Sequence, residues 1–131
     1  DTVAVGGLTA TGTYALGAGT DVITATNGAS IVGVNSGGVT TAETLSFAGG
    51  ITMTDAQYDG FTTITATGGS DSITLSDAAT VAADSGVETY VLANATNSVT
   101  ATAATNVTGG TGNDTVAVGG LTATGTYALG A

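Results

Sequence analysis

Apolar and polar residues alternate with a period of two in short stretches along the whole chain. A small or acidic residue opens each stretch, and the second and fourth residues after it are apolar or small, as in DTVAV at Asp1, DSITL at Asp71 and ETYVL at Glu88. This alternation is typical of β-strands, whose successive side chains point to opposite faces. The pattern predicts an all-β fold with these inward-facing positions: Val3, Tyr14, Ile23, Ile31, Leu45, Ile51, Ile64, Ile73, Val81, Tyr90, Val99, Val107 and Val116.

The residues that open the strands recur every eight or nine residues between Thr62 and Asp114, and less regularly before Thr62. Two strands therefore occupy about 19 residues, and such short, even units favour a parallel β-solenoid of the β-roll or β-helix kind. Each strand would stack on its equivalent one coil later, with about six coils between Asp1 and Asp114. An Ig-like β-sandwich of about 100 residues, repeated as beads, is the alternative. The nine-residue spacing and the Gly-Asp turns favour the solenoid.

The sequence DTVAVGGLTATGTYALGA at residues 1–18 returns unchanged at residues 114–131, so Asp114 is the equivalent of Asp1. We interpret residues 1–131 as one solenoid segment, in which 1–113 is a tandem repeat and 114–131 starts the next copy. Because the spacing marks no boundary at Asp114, residues 114–131 should form the same coil as 1–18 and repeats should join end to end. The side chains expected to pack on the preceding coil are Val116, Val118, Tyr127 and Leu129.

One irregular stretch, TDAQYDG at residues 54–60, predicts a single helical turn. Thr54 is a suitable N-cap, Gln57 stands at the capping-box position, and Gly60 is suited to end the turn.

The chain has ten acidic residues, no Lys, Arg, His or Cys, and a net charge of −10. Without a cation to meet a phosphate, binding to nucleic acid or attraction to an anionic membrane surface is not expected. The apolar runs are too short to cross a bilayer, so membrane insertion is not expected either. An enzyme is disfavoured, because carboxylate chemistry on β-helices usually has basic residues beside it.

A glycine-rich motif stands out at residues 109–117, where GGTGNDTVA matches the nonapeptide G-G-x-G-x-D-x-U-x at every fixed position. GAGTDVI at residues 17–23 keeps the shorter form G-x-G-x-D-x-U. The chain thus resembles the RTX (repeats-in-toxin) β-strand-repeat proteins of the giant bacterial adhesin and S-layer type. The specific motif covers under a fifth of the chain.

The resemblance implies Ca²⁺ bound between adjacent turns by Asp carboxylates and backbone carbonyls, a ligand set suited to a hard cation. By position, the carboxylates are Asp21, Asp114 and its equivalent Asp1, and the carbonyls are those of Gly17, Gly19, Gly109, Gly110 and Gly112. The alternative is structural: glycine allows the tight turn, and Asp caps it through hydrogen bonds.

The remaining acidic residues fall into three groups. Glu43 should follow Asp1 and Asp21 along one edge, giving a ladder of like charges that would repel without a cation. Asp71 and Glu88, on the opposite edge, are weaker candidates for Ca²⁺ binding. Solvated loop acids are expected at Asp55, Asp59, Asp77 and Asp84.

These features predict a secreted or cell-surface structural protein, a stiff rod or filament whose length is set by the number of repeats. Its partners would be copies of itself, end to end and side by side. The alternative is a carbohydrate- or ice-binding module, which an exposed aromatic platform would favour. Tyr14 and Tyr90 should face inward, which leaves Tyr58 and Phe61 near a loop.

Overall fold

The fold is described by a computed structural model for residues 1–6, 11–13, 19–35, 43–101, 105–119 and 125–130. The strands are β1 (Thr2–Val5), β2 (Thr11–Thr13), β3 (Asp21–Ala25), β4 (Ala29–Ser30), β5 (Gly33–Asn35), β6 (Glu43–Phe47), β7 (Gly50–Met53), β8 (Thr63–Ala66), β9 (Ser72–Leu75), β10 (Thr80–Ala82), β11 (Thr89–Val91), β12 (Ser98–Ala101), β13 (Asn106–Thr108), β14 (Thr115–Val118) and β15 (Tyr127–Ala128). A single helix in the described residues, α1 (Asp55–Gly60), lies between β7 and β8.

Every strand pair in the described residues is parallel, and each joins strands that are not consecutive in the chain. The sheet orders are β1-β3-β6-β8, β10-β12-β14, β4-β7-β9-β11-β13-β15 and β2-β5. Parallel pairing of this kind is the β-solenoid that the sequence predicts. The Ig-like sandwich is wrong, because its strands pair as antiparallel neighbours.

The coils differ in length. In the six-stranded sheet, the stacked partners are Ala29, Ile51, Ile73, Tyr90, Val107 and Tyr127, each one turn after the last. The steps from Ala29 to Ile73 are longer than those from Ile73 to Val107. The mean step agrees with the coil length expected from the sequence, and the longer coil from Ile51 to Ile73 contains the irregular stretch at residues 54–60.

The core follows the period-two alternation. Ten of the predicted inward side chains are buried: Ile23, Ile31, Leu45, Ile51, Ile64, Ile73, Val81, Tyr90, Val99 and Val107. Val3 and Val116 are partly buried against the same cluster, while Tyr14 lies outside the described residues. Burying one face of each short strand removes apolar area from water, at about 1.5–3 kcal/mol for each large side chain.

Helix α1 has the predicted capping box. The Thr54 hydroxyl accepts a hydrogen bond from the Gln57 N–H at 3.2 Å, and the Gln57 side chain accepts one from the Thr54 N–H at 2.9 Å. Gly60 is the last helical residue, and Phe61 follows it with extended backbone. These two reciprocal bonds satisfy N–H groups that a helix start leaves without partners, which accounts for such a short helix.

The parallel stacking is interrupted beside α1. β8 begins at Thr63 and β10 at Thr80, a normal coil step, yet the two strands belong to different sheets. The Tyr58 hydroxyl donates to the Ala82 carbonyl oxygen at 2.6 Å, and the Asp55 carboxylate accepts the Thr80 N–H at 2.9 Å. The helix therefore satisfies groups on β10 that a neighbouring strand would otherwise pair with.

This interruption corrects one expectation about the strand starts. The spacing predicted that each strand stacks on its equivalent one coil later, and β8 and β10 do not stack in this way. Asp114 precedes β14 in the sheet β10-β12-β14, separate from β1-β3-β6-β8. The spacing is correct, but helix packing between two coils breaks the hydrogen-bonded continuity.

Candidate cation-binding turns

Residues at strand starts join adjacent coils through their side chains. In each case a side-chain oxygen accepts a hydrogen bond from the backbone nitrogen of its stacked partner one coil earlier. The pairs are Asp21 with the Asp1 amine at 2.6 Å, Asp71 with Gly49 at 2.5 Å, Glu88 with Asp71 at 2.7 Å and Asn97 with Ala79 at 3.0 Å. A buried N–H without an acceptor costs about 1–3 kcal/mol, so Asp71, Glu88 and Asn97 hold the coils together, whereas Asp21 forms an ion pair with an exposed ammonium.

Asp71 is the most fully engaged of these carboxylates. Its side chain is buried, with Oδ1 accepting the Gly49 N–H and Oδ2 accepting the Gly68 N–H at 2.7 Å. One oxygen thus holds the preceding coil and the other holds the turn that leads into β9. Asp71 serves as a double hydrogen-bond acceptor, the structural role left open as the alternative to cation binding.

Asp21 differs from Asp71 in having a free oxygen. It is 1% exposed, and its Oδ2 is buried with no hydrogen-bond partner among the described residues. The backbone register stacks Asp1, Asp21 and Glu43 on one edge, as predicted. Gly19, two residues before Asp21, has a φ of +139°, which L side chains rarely adopt. Gly17 lies outside the described residues.

Asp114, which precedes β14, resembles Asp21 in having one carboxylate oxygen that is engaged and one that is free. Its Oδ1 accepts a hydrogen bond from the Asn97 side-chain amide at 2.7 Å, and its Oδ2 is buried with no partner among the described residues. The same amide group donates to the Ala93 and Ala95 carbonyls at 3.0 Å each. The side chain beside Asp114 is therefore the neutral amide of Asn97, whereas an acid at position 97 would have repelled the Asp114 carboxylate.

The glycines before Asp114 are required by close stacking on the preceding turn. A Cβ on Gly110 would lie 2.5 Å from the Ala93 carbonyl oxygen, and one on Gly112 would collide with the Ala95 carbonyl oxygen. A Cβ on Gly109 would collide with Asp114 Oδ2 itself. Gly112 also has a φ of +139°, the same value as Gly19.

In a tandem array, the two RTX-like turns would stack on neighbouring coils. Gly130 is the equivalent of Gly17 in the repeated segment, and a Cβ on it would collide with the carbonyl oxygen of Gly110. The turn containing Gly17 and Gly19 in a following repeat would therefore lie on the turn of residues 109–112. In this chain Asp114 and Asp21 are not brought together, because they lie in separate sheets.

The chemistry of these turns fits a hard cation only in part. Among the side chains that the structure describes, the two carboxylates with a buried, unpartnered oxygen are Asp21 and Asp114, and both lie in the RTX-like motifs. Within the part of the chain that the structure describes, no three acidic side chains converge. A Ca²⁺ ion would therefore need backbone carbonyl oxygens to complete the six to eight ligands that it takes.

The loop acids also act partly as acceptors. Asp77 accepts the Asp55 N–H at 2.8 Å, and Asp84 accepts the Gly86 N–H at 2.9 Å. Asp59 and Asp77 are exposed, as expected, whereas Asp55 and Asp84 are half-buried. The prediction of plain solvated acids is therefore correct for Asp59, and it missed the backbone contacts of the other three.

A buried tyrosine pair is the feature that the sequence reasoning missed. Tyr58, expected near a loop, is buried, and its hydroxyl lies 2.9 Å from that of Tyr90. The Asp84 N–H donates to the Tyr90 hydroxyl at 2.8 Å. Burial is the largest cause raising the pKa of both tyrosines above 10.0. The period-two pattern contains no signal for this pair, because Tyr58 lies on the helix.

Comparison of the chain with protein-family models, curated proteins and solved structures finds no match. The resemblance to RTX proteins therefore rests on the motifs at residues 17–23 and 109–117. In the described residues, no helix has the length and apolar character needed to cross a bilayer.

Proposed function

We propose that this chain is a segment of an extracellular structural rod, such as the stalk of an adhesin, a surface filament or a surface layer. The observation that supports this best is the stacking of the repeated segment. β14 continues the sheet of β12, and β15 continues the sheet of β13, with parallel pairing in both cases. Identical repeats that continue one another in this way would set the length of a rod.

The use of the acidic side chains also supports a structural role. Asp71 and Glu88 direct carboxylate oxygens to backbone N–H groups of the preceding coil. These groups stabilise stacking, and the net charge of −10 favours solubility of a long, stiff particle. The aromatic side chains in the described residues are all at least half-buried, so the carbohydrate-binding alternative gains no support from an exposed platform.

Calcium binding is part of this proposal. The orphaned Oδ2 atoms of Asp21 and Asp114 support it, together with the glycine turns beside each of them. A bound Ca²⁺ would supply positive charge between coils in a chain that has no basic side chain. Asp21 and Asp114 would each hold one ion with carbonyls of its own adjoining turn, and the same charge would let neighbouring rods associate side by side.

The rod is tested by expressing one, two and three copies of the repeat 1–113 in one chain and measuring particle length by electron microscopy. About six coils at ~4.8 Å predict an increase of about 29 Å for each added period. An array with Ile73 replaced by Asp in every repeat is the control, because a buried charge should abolish the regular increment. A length that does not grow with the number of periods would contradict the rod.

The calcium proposal predicts a cation-dependent rise in thermal stability. Ca²⁺ at a hundred times its dissociation constant should add about 2.7 kcal/mol to the free energy of unfolding. Asp21→Asn combined with Asp114→Asn should remove this gain, whereas Asp77→Asn, at an exposed carboxylate, should keep it. Equal melting temperatures with Ca²⁺ and with a chelator, in the unmodified chain, would rule the site out without affecting the rod.

A further inference from the structure

Asn27 and Gly28 lie in the turn that joins β3 to β4, and they form the one Asn-Gly pair in the sequence. Asparagine is among the thermolabile side chains of proteins. When glycine follows asparagine, the glycine nitrogen can attack the side-chain amide carbon, because glycine has no Cβ to hinder the approach. Both residues are exposed, so water reaches them. This turn is therefore chemically suited to spontaneous deamidation.

The fold uses both residues of this pair. Gly28 has a φ of +79°, a region that L side chains rarely adopt. The Asn27 Oδ1 atom accepts a hydrogen bond from the N–H of Gly50, the first residue of β7, at 2.8 Å. A Cβ on Gly49 would lie 2.5 Å from Asn27 Oδ1, so the turn packs directly on the next coil. The labile pair is thus part of the contact between two coils.

The contacts with Gly50 also hold the reacting groups of the pair. The Gly28 N–H donates to the Gly50 carbonyl oxygen at 2.6 Å, so the nitrogen that must lose its proton is already engaged. The bond from the Gly50 N–H holds the Asn27 side-chain amide against the next coil. Ring closure needs a deprotonated Gly28 nitrogen directed at Asn27 Cγ. Both bonds to Gly50 must therefore break before the pair can react.

We propose that Asn27–Gly28 is a self-modification site, which the junction between β4 and β7 keeps unreactive as long as the two coils are stacked. Proteins open locally, at a free energy that differs from one region to the next. Opening of this junction frees the Gly28 nitrogen, so the reaction rate follows the fraction of time for which the junction is open. The site depends on this junction alone, and its failure would leave the proposed rod untouched.

The reaction needs water and no other co-reactant. Hydroxide removes the Gly28 amide proton, the nitrogen bonds to Asn27 Cγ, and the bond from Cγ to the side-chain nitrogen breaks. That nitrogen takes a proton from water and leaves as ammonia, which gives a five-membered succinimide ring. Water then opens the ring at one of its two carbonyl carbons. The product at position 27 is aspartate or isoaspartate, according to which C–N bond breaks.

The two products act differently on the junction. Aspartate keeps a carboxylate oxygen for the Gly50 N–H and adds one negative charge. Isoaspartate adds one methylene group to the main chain ahead of β4, which displaces Ala29 from its stacked partner Ile51. Both of these residues are buried in the core. Isoaspartate therefore disfavours closing of the junction, and it turns a transient opening into a lasting one.

Two other asparagines provide internal references, because they make the same contact without a following glycine. The Oδ1 atoms of Asn94 and Asn106 each accept a backbone N–H from the next coil, at 3.0 and 2.9 Å. The residues that follow them, Ala95 and Val107, have side chains that hinder attack by the backbone nitrogen. Product should therefore form at Asn27 well ahead of these two positions when the chain is unfolded.

The test compares the full chain in its folded state and in denaturing urea, both incubated at the same mildly alkaline pH. Chymotrypsin digests the samples, since the chain has no Lys or Arg for trypsin, and mass spectrometry measures replacement of NH₂ by OH at Asn27. The reaction should be about thirtyfold slower in the folded chain, the factor that breaking two hydrogen bonds of ordinary net strength implies. Equal rates in the two states would overturn the proposal. So would a faster reaction in the folded chain, which would mean that the Gly50 N–H activates the side-chain carbonyl.

Two core variants test whether this junction or the whole chain must open. Ile51→Ala weakens the packing on Ala29 and should accelerate the reaction in the folded chain. Val99→Ala is the matched control, because Val99 is equally buried but lies in β12, several coils away. The two are compared at equal free energy of unfolding, set with urea. Equal acceleration would show that global unfolding controls the reaction, and the role of the junction would be wrong.

Asn27→Gln checks that the modified residue is correctly assigned. Glutamine would have to close a six-membered ring, which forms much more slowly than succinimide. The variant should therefore lose the product in urea, while any slow background at Asn94 and Asn106 stays the same. Product that persists at position 27 in this variant would contradict the succinimide route.

Discussion

Replacing Asp71 by alanine is expected to lower the free energy of unfolding by about 2–6 kcal/mol, because two N–H groups lose their acceptor at about 1–3 kcal/mol each. These are the N–H groups of Gly49, in the preceding coil, and of Gly68, in the turn before β9. Domains of this size have total stabilities of about 5–15 kcal/mol. The variant should therefore unfold at a much lower urea concentration, measured by circular dichroism.

Two further substitutions test whether the missing hydrogen-bond acceptor causes this loss of stability. Asp71→Asn keeps one side-chain oxygen and should lose about half as much stability. Asp77→Ala removes an exposed carboxylate that accepts one N–H, from Asp55, and should cost under about 1 kcal/mol. If Asp71→Ala and Asp77→Ala shift the urea midpoint equally, the carboxylates do not hold the coils in the way described.

The coil architecture could be predicted because it follows from local alternation. Each inward position, such as Ile73 or Val99, needs only its own neighbours in sequence to be identified. The coil length then determines which strands stack, because each strand of a parallel solenoid pairs with the equivalent strands of the coils directly before and after it. The capping box of α1 is equally local, because Thr54 and Gln57 are three residues apart.

The break between β8 and β10 could not be predicted from spacing. It depends on a tertiary contact, in which the Tyr58 hydroxyl reaches the Ala82 carbonyl 24 residues later. The same spacing between strand starts occurs whether two coils are hydrogen-bonded to each other or are separated by a helix. Only the placement of the helix between them decides which one forms.

The candidate site was predictable in its residues but not in its geometry. The motif identifies Asp21 and Asp114, and both have a buried oxygen with no hydrogen-bond partner among the described residues. Sequence spacing could not reveal that Asn97 would donate to Asp114, nor that Asp71 would have both oxygens occupied. Such details depend on which backbone nitrogen atoms the register places opposite each side chain.

Raising the pH above about 10 is expected to unfold this protein through two tyrosines. The chain has no Lys, Arg, His or Cys, so tyrosines are its only side chains that titrate in that range. Burial raises the pKa of Tyr58 and Tyr90 in the folded state above the ordinary 10.0. Their contribution to stability is fully present below pH 10 and is lost above it, where the unfolded chain gives up protons that the folded chain retains.

Each tyrosine that stays protonated in the folded state while it ionises in the unfolded chain contributes a slope of up to about 1.4 kcal/mol per pH unit, measured as the urea midpoint against pH. Tyr58→Phe should reduce the slope, although it also removes the hydrogen bonds to the Ala82 carbonyl and the Tyr90 hydroxyl and lowers stability at neutral pH. Tyr127→Phe is the comparison, because its hydroxyl lies outside the Tyr58–Tyr90 pair, although that hydroxyl is also buried. Stability that stays constant up to about pH 12, or an equal effect of both substitutions on the slope, would mean that the buried hydroxyl pair does not control alkaline unfolding.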